Sequence, residues 1–145
     1  MVESNFSKCV ISDCSFKEAK LQRALFIEAQ VANSTFKYAA LENSNFQEAS
    51  IVKSHFSYSE MKDAWMKKMK AQEVSFQEAD LSGASLFYAL LSDCIFKKAT
   101  LVRAMVHGLV DQHCDWSGAN KKDIITTDPD QQAIDEQLTS RGIAV

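Results

Sequence analysis

Residues 65–74, WMKKMKAQEV, decide the fold. Taken alone they look like a displaced piece of amphipathic helix, with Trp65, Met66 and Met69 set among lysines. The flanks set the alternatives. Phe56 and Phe76 lie 20 residues apart, and on both sides the chain obeys a rule of five. An insertion of arbitrary length would keep that frame only about one time in five.

The rule runs from Ser4. Every fifth residue is small or modest (Ser4, Cys9, Cys14, Ala19, Ala24, Ala29, Ser34), and two positions later comes a larger apolar one (Phe6, Ile11, Phe16, Leu21, Phe26, Val31, Phe36). The frame persists through Phe76, Leu81, Leu86, Leu91, Phe96, Leu101 and Val106 to Trp116. Eight of the nine phenylalanines fall in the large series and all four cysteines in the small one, where chance would put about a fifth of each. A straight α-helix cannot bury this pattern, because five residues at about 100° each turn every large residue a further 140° around the axis. A continuous strand fails too, since an odd spacing sends successive large residues to opposite faces. The chain must therefore turn once per five residues, with one large side chain per segment pointing inward. In this frame Met69 occupies a small-series site and Ala71 the adjacent large-series site, an exchange of volume that roughly conserves the core. The expectation is β-helical backbone throughout residues 65–74; a local bulge or helical turn is the alternative.

The quintets Ala79-Asp80-Leu81-Ser82-Gly83 and Ser4-Asn5-Phe6-Ser7-Lys8 resemble the pentapeptide-repeat family, whose consensus is a small residue, Asp or Asn, Leu or Phe, and two variable residues. The resemblance implies an all-β fold, a right-handed quadrilateral parallel β-helix with four quintets per coil. Residues 1–122 would then form about six coils, a rod about 29 Å long at the usual spacing of stacked strands. The second quintet position is Asp or Asn only at Asn5, Asn45, Asp80, Asp115 and Asn120.

Composition agrees with one domain: 145 residues, 46% apolar and 24% charged. Four glycines and one proline are too few for conventional glycine hairpins, so the turns must use other residues. No apolar run approaches a membrane span and the N-terminus lacks a signal-peptide pattern, so a cytoplasmic location is expected. Two opposing aromatic columns, Phe16 to Trp116 and Phe6 to Val106, should fill the interior and leave no room for a buried small-molecule substrate. The cysteines are expected to be buried free thiols. His107, Asp111, His113, Cys114 and Asp115 invite a zinc hypothesis, but their spacing matches no standard motif, and no metal or other cofactor is expected. No catalytic constellation stands out, so the chain is expected not to be an enzyme.

Residues 123–145 form a tail in which Asp128, Pro129 and Gln131 read as a helix start and Gly142 as a stop, predicting a capping α-helix over about 129–141. Ile134 and Leu138 would cover the last coil or pair with another subunit. The N-terminus has no counterpart, so a second subunit, a protein partner or a preceding domain is expected to cover the first coil. Among outward positions, Leu25, Ile27, Trp65, Phe87, Tyr88 and Met105 predict an apolar stripe that binds a protein partner; the alternative is that several pack on the tail or scatter. Tyr38 and Tyr58 on another face read as a stacking ladder. The function expected is a non-enzymatic interaction scaffold, with a place in bacterial secretion-associated adaptors or effectors implied by the resemblance. The alternative, also implied by the resemblance, is a topoisomerase-binding mimic of duplex DNA that inhibits or protects gyrase. Residues 4–119 carry 13 basic and 13 acidic side chains, a net of zero where a mimic needs a strong negative charge. Neither nucleic acid nor a membrane is an expected partner.

Overall fold

A computed structural model describes residues 3–126, 137–138 and 141–142. Six short strands, β1 (Val10–Ser12), β2 (Gln30–Ala32), β3 (Ser50–Val52), β4 (Lys70–Gln72), β5 (Leu90–Ser92) and β6 (Val110–Gln112), stack in chain order into one parallel sheet. Each residue pairs with the one 20 positions on, as in Val10↔Gln30 and Ile51↔Ala71. Three more sides repeat this offset through single bridges: Asn5↔Leu25 begins the first side, Ser15↔Thr35 the third and Lys20↔Ala40 the fourth, with the sheet as the second. The chain is thus a parallel β-solenoid with four sides and 20 residues per coil.

The corners explain the period. In the quintet Ala24–Glu28, Leu25 N–H donates to Ser4 O at 2.8 Å, Phe26 N–H to Asn45 O at 2.7 Å and Glu28 N–H to Gln47 O at 2.9 Å. Ala29 N–H then closes the turn onto Phe26 O at 3.1 Å. That turn requires positive φ at its third residue, which Glu28 adopts at 58°. Non-glycine residues do the same at corner after corner from Glu3 to Asp123, with φ between 49° and 64°. Each such residue costs about 1 kcal/mol, less than the roughly 1.5–3 kcal/mol from burying one large apolar side chain per quintet. The amide left over, at the fourth quintet position, needs a side-chain acceptor. Asn45 Oδ1 takes the N–H of Gln47 at 2.9 Å and Asp80 Oδ1 that of Ser82 at 3.0 Å; Asn5, Asp115 and Asn120 act alike. Where the consensus residue is missing, the hydroxyls of Thr35 and Ser75 substitute at 3.3 and 3.4 Å.

The interior is two phenylalanine stacks in contact. Phe36 and Phe56 stack at 4.5 Å and Phe26 and Phe46 at 4.6 Å, while Phe26 meets Phe36 edge-on at 5.7 Å. Residues 65–74 continue the coil without interruption. Trp65 bridges Asn45 and Ser85, and β4 joins the sheet in register, with Met69 and Ala71 both buried. Pairing extends past the boundary expected at 122, since Met105 bridges Ile125 and Val106 N–H donates to Ile125 O at 2.8 Å. The helix expected over 129–141 lies outside the described residues apart from Gln137, Leu138 and Arg141, of which the first two are helical. No described helix is long and apolar enough to cross a membrane.

The cysteine reading needs correction. Cys94 is buried, but Cys114 is half-buried and Cys9 and Cys14 are exposed. Small-series positions in the first coil face an uncovered end, where Phe6 and Phe16 are also only partly buried. Burial pushes the Cys94 thiol pKa up and that of Cys114 up to about 12.

At the corner after the second side the closing turn bond is replaced by a side-chain ladder. Ser34 Oγ accepts Cys14 N–H at 3.1 Å and donates to Ala32 O at 2.9 Å; Ser54 Oγ accepts Ser34 N–H at 3.1 Å and donates to Val52 O at 3.0 Å. The next member of the column is Val74, buried and with no acceptor for Ser54 N–H. Val74→Thr should therefore leave stability unchanged or raise it in urea denaturation. Val31→Thr, whose hydroxyl would sit in the apolar column between Ile11 and Ile51, should cost about 1–3 kcal/mol. Equal losses at both sites would contradict the ladder.

The fourth side carries a carboxyl pair. Partial burial, then the adjoining Glu60 carboxyl, raise the Glu42 pKa above its ordinary 4.5, and one Glu42 oxygen is buried with no donor. The protonated form is thus favoured by folding, and its stabilisation is complete below the ordinary value and lost as pH rises through the raised one. Glu42→Gln, which offers Glu60 a donor at any pH, should be more stable than the parent at about pH 7. That advantage should disappear below about pH 4 in paired denaturation curves, and an advantage independent of pH would refute the coupling.

Candidate interaction surface

The first side is built by two outward positions per quintet. One column runs Asn5, Leu25, Asn45, Trp65, Ser85, Met105, Ile125, and the other Ser7, Ile27, Gln47, Lys67, Phe87, His107. Lys67 is their one lysine, arginine or carboxylate. Leu25, Trp65 and Met105 share the first column and Ile27 and Phe87 the second, while Tyr88 stands at the corner that follows. The expected stripe is not continuous, because Asn45 and Gln47 separate Leu25 and Ile27 from the rest.

Trp65, Phe87, Tyr88 and Met105 come together as the walls of a surface groove of about 580 Å³, which Gly83, Ser85 and Ala64 floor and Asn43, Gln47, Asp63 and Lys67 border. Trp65 is 54% exposed. The groove exists because small residues lie between large ones in adjacent coils. Gly108, at positive φ, makes room for the Tyr88 ring, with which a Cβ there would collide. His107 meets the same ring edge-on at 5.4 Å. This places Tyr88 as the wall between the first side and the sheet.

Leu90 and Val110, both 44% exposed on the second side, carry apolar surface round that corner and were missed from sequence. Their only signal was an apolar residue at an outward quintet position. Val10 and Ile95 are also exposed but stand apart from the groove, while Ile125, likewise exposed, follows the groove wall Met105 in the first column. Tyr38 and Tyr58 stack at 5.0 Å, the geometry of a ladder.

The zinc cluster is dispersed. Asp111 takes the large-series position in β6, where its carboxylate accepts Trp116 Nε1–H at 2.6 Å and Cys114 N–H at 3.1 Å. Partial burial raises its pKa, but these hydrogen bonds and the neighbouring His113 outweigh it and hold the carboxyl below the usual range. Hydrogen bonds from Ser117 likewise lower Asp115, and His113 faces Asp93 at 3.9 Å. Among the described residues no three potential ligands converge on a metal position. Hydrogen bonds engaged within the coil end are what the arrangement offers, and the groove offers shape and apolar contact.

A family model described as "Pentapeptide repeat region" matches residues 1–66, and one described as "Pentapeptide repeats (8 copies)" matches residues 72–108. No curated protein matches in sequence. Among solved structures, HetL, a pentapeptide repeat protein involved in heterocyst differentiation regulation from the cyanobacterium Nostoc, is 15% identical over 86% of this chain and 87% of its own, with a TM-score of 0.34. Rfr23 from the cyanobacterium Cyanothece is 18% identical over 87% and 90%, with a TM-score of 0.34. A trypsin-treated form of QnrB1, a plasmid-mediated fluoroquinolone resistance protein, is 15% identical over 99% and 86%, with a TM-score of 0.42. Likeness at such identities is one of fold alone, and neither family description names an enzyme. With both matches falling on the stacked quintets, the chain belongs to the pentapeptide-repeat family.

Proposed function

We propose that this protein is a non-enzymatic interaction scaffold, a stiff rod that presents its first side to a protein partner. The observation that carries the reading is the groove between Trp65 and Met105 on a side whose outward columns hold no carboxylate. An apolar, charge-poor recess with aromatic walls has the makeup of an interface centre. Phe6 and Phe16, partly exposed in the first described coil, offer a second contact for a protein partner or a second subunit. A cytoplasmic bacterial setting, with the rod as one domain of a secretion-associated adaptor or effector, belongs to the same proposal. The topoisomerase-binding alternative is disfavoured because a mimic of duplex DNA needs acidic surface along the rod, and the outward columns of two sides have none.

Trp65→Ala combined with Phe87→Ala tests the groove. Both side chains point outward, so the unfolding midpoint should move little, whereas capture of partners from a lysate of the source cells should fall at least about tenfold against wild type. Capture that is unchanged by the pair would remove the groove as the interface.

A further inference from the structure

We propose that the groove takes an acidic polypeptide segment with apolar anchors, held by a row of three lysines on the coil that carries Trp65. The proposal rests on the reading of the first side as a partner surface and adds the chemistry of what it binds. The outward columns of the first and second sides each contain one lysine and no arginine or carboxylate: Lys67 on the first and Lys70 on the second. Lys68 stands at the corner between them. None of the three makes an ion pair with a described residue, whereas Arg23, Lys62 and His113 each face a carboxylate. Glu48 occupies the corner one coil back from Lys68, beyond ion-pair distance. The row is therefore three cations without an ion pair among the described residues, on a chain of net charge −3, and Asp63 is the one carboxylate lining the groove, at the corner on the opposite edge of the first side.

Apolar surface adjoins the row on its C-terminal side. Phe87, Tyr88 and Leu90 follow Lys67, Lys68 and Lys70 at the 20-residue offset, so each lysine has an aromatic or aliphatic side chain beneath it in its own column. A segment crossing this corner along the coil would lay its apolar side chains against Trp65, Phe87 and Leu90 and its carboxylates along the lysines. The contrast in charge gives the direction of recognition, because an acidic partner is drawn here and repelled by the acidic balance elsewhere. A membrane is flat, while this surface is a recess that continues round a right-angled corner. Three cations are also few for a nucleic acid.

The test is selection of a display library of random peptides, about twelve residues long, on the full chain. Two variants serve as controls, Lys67→Glu/Lys68→Glu/Lys70→Glu and Trp65→Ala/Phe87→Ala, each checked for the parent far-ultraviolet spectrum. If the charge-reversed variant misfolds, the Lys→Gln triple replaces it. The expected enrichment is peptides that combine Asp or Glu with Phe, Leu or Trp. Their affinity should fall about tenfold or more on charge reversal, and likewise between about 0.05 and 0.5 M salt. Peptides that need Trp65 and Phe87 but ignore the lysines would overturn the acidic chemistry and leave the interface standing. Peptides that need neither would overturn both. Lysine-dependent binding to vesicles of phosphatidylserine and phosphatidylcholine in equal parts, with no peptide enriched, would replace the proposal with a membrane surface.

Discussion

The hydrogen bond between a residue and the coil 20 positions away is the constraint on which the rest depends. It is made on all four sides, so the chain must turn four times per coil in a fixed number of residues. That forces left-handed backbone at each corner and accepts the local strain there. Lone side chains could not impose it. In the quintet of Glu28, four of five amides are used by backbone acceptors and that of Ile27 is left over; in quintets such as those of Asn45 and Asp80 the side chain at the second position takes this fifth amide. The consensus Asp or Asn is in this sense a solution to an amide count, which is why Thr35 and Ser75 can stand in for it.

Period five and the inward direction of Phe36 and Phe76 were legible in the sequence because a buried position tolerates only size and polarity that fit. The number of sides was not in the period. It came from the family resemblance, and the 20-residue register supports it. Residues 65–74 tested the reading hardest, and Met69 with Ala71 shows that the frame specifies total volume within a side more strictly than volume at one site. The ends were harder. Cys9 and Cys14 obey the inward rule and are nevertheless exposed, since burial needs a coil on each side and among the described residues only one flanks them. Asp111 breaks the apolar series where the last coils meet solvent and earns its place by binding Trp116 and the Cys114 amide.

The groove was only half legible. Outward residues carry no period, so their grouping follows from which coil lies beneath which, together with the small residues between. Trp65 and Phe87 could be paired from their columns, but the floor at Gly83 and Ser85, the seat of Tyr88 against Gly108, and the extension to Leu90 needed coordinates. WMKKMKAQEV thus has two readings that are both correct. Its inward residues make it an ordinary coil, and its outward ones set Trp65, Lys67 and Lys70 on sides that otherwise hold no formal charge in their outward columns, with Lys68 at the corner between them.

The central claim is that the fold is a stack of interchangeable 20-residue coils in one frame. Deletion of residues 57–76 joins Phe56 to Gln77 without shifting that frame, and deletion of residues 57–75 shifts it by one. Far-ultraviolet circular dichroism with thermal unfolding of the two shortened chains is the direct test. The first should keep a β-type spectrum and one cooperative transition, with a midpoint lowered by the lost coil, and the second should lose both. Two shortened chains that unfold alike, or a parent spectrum dominated by helix, would contradict the account.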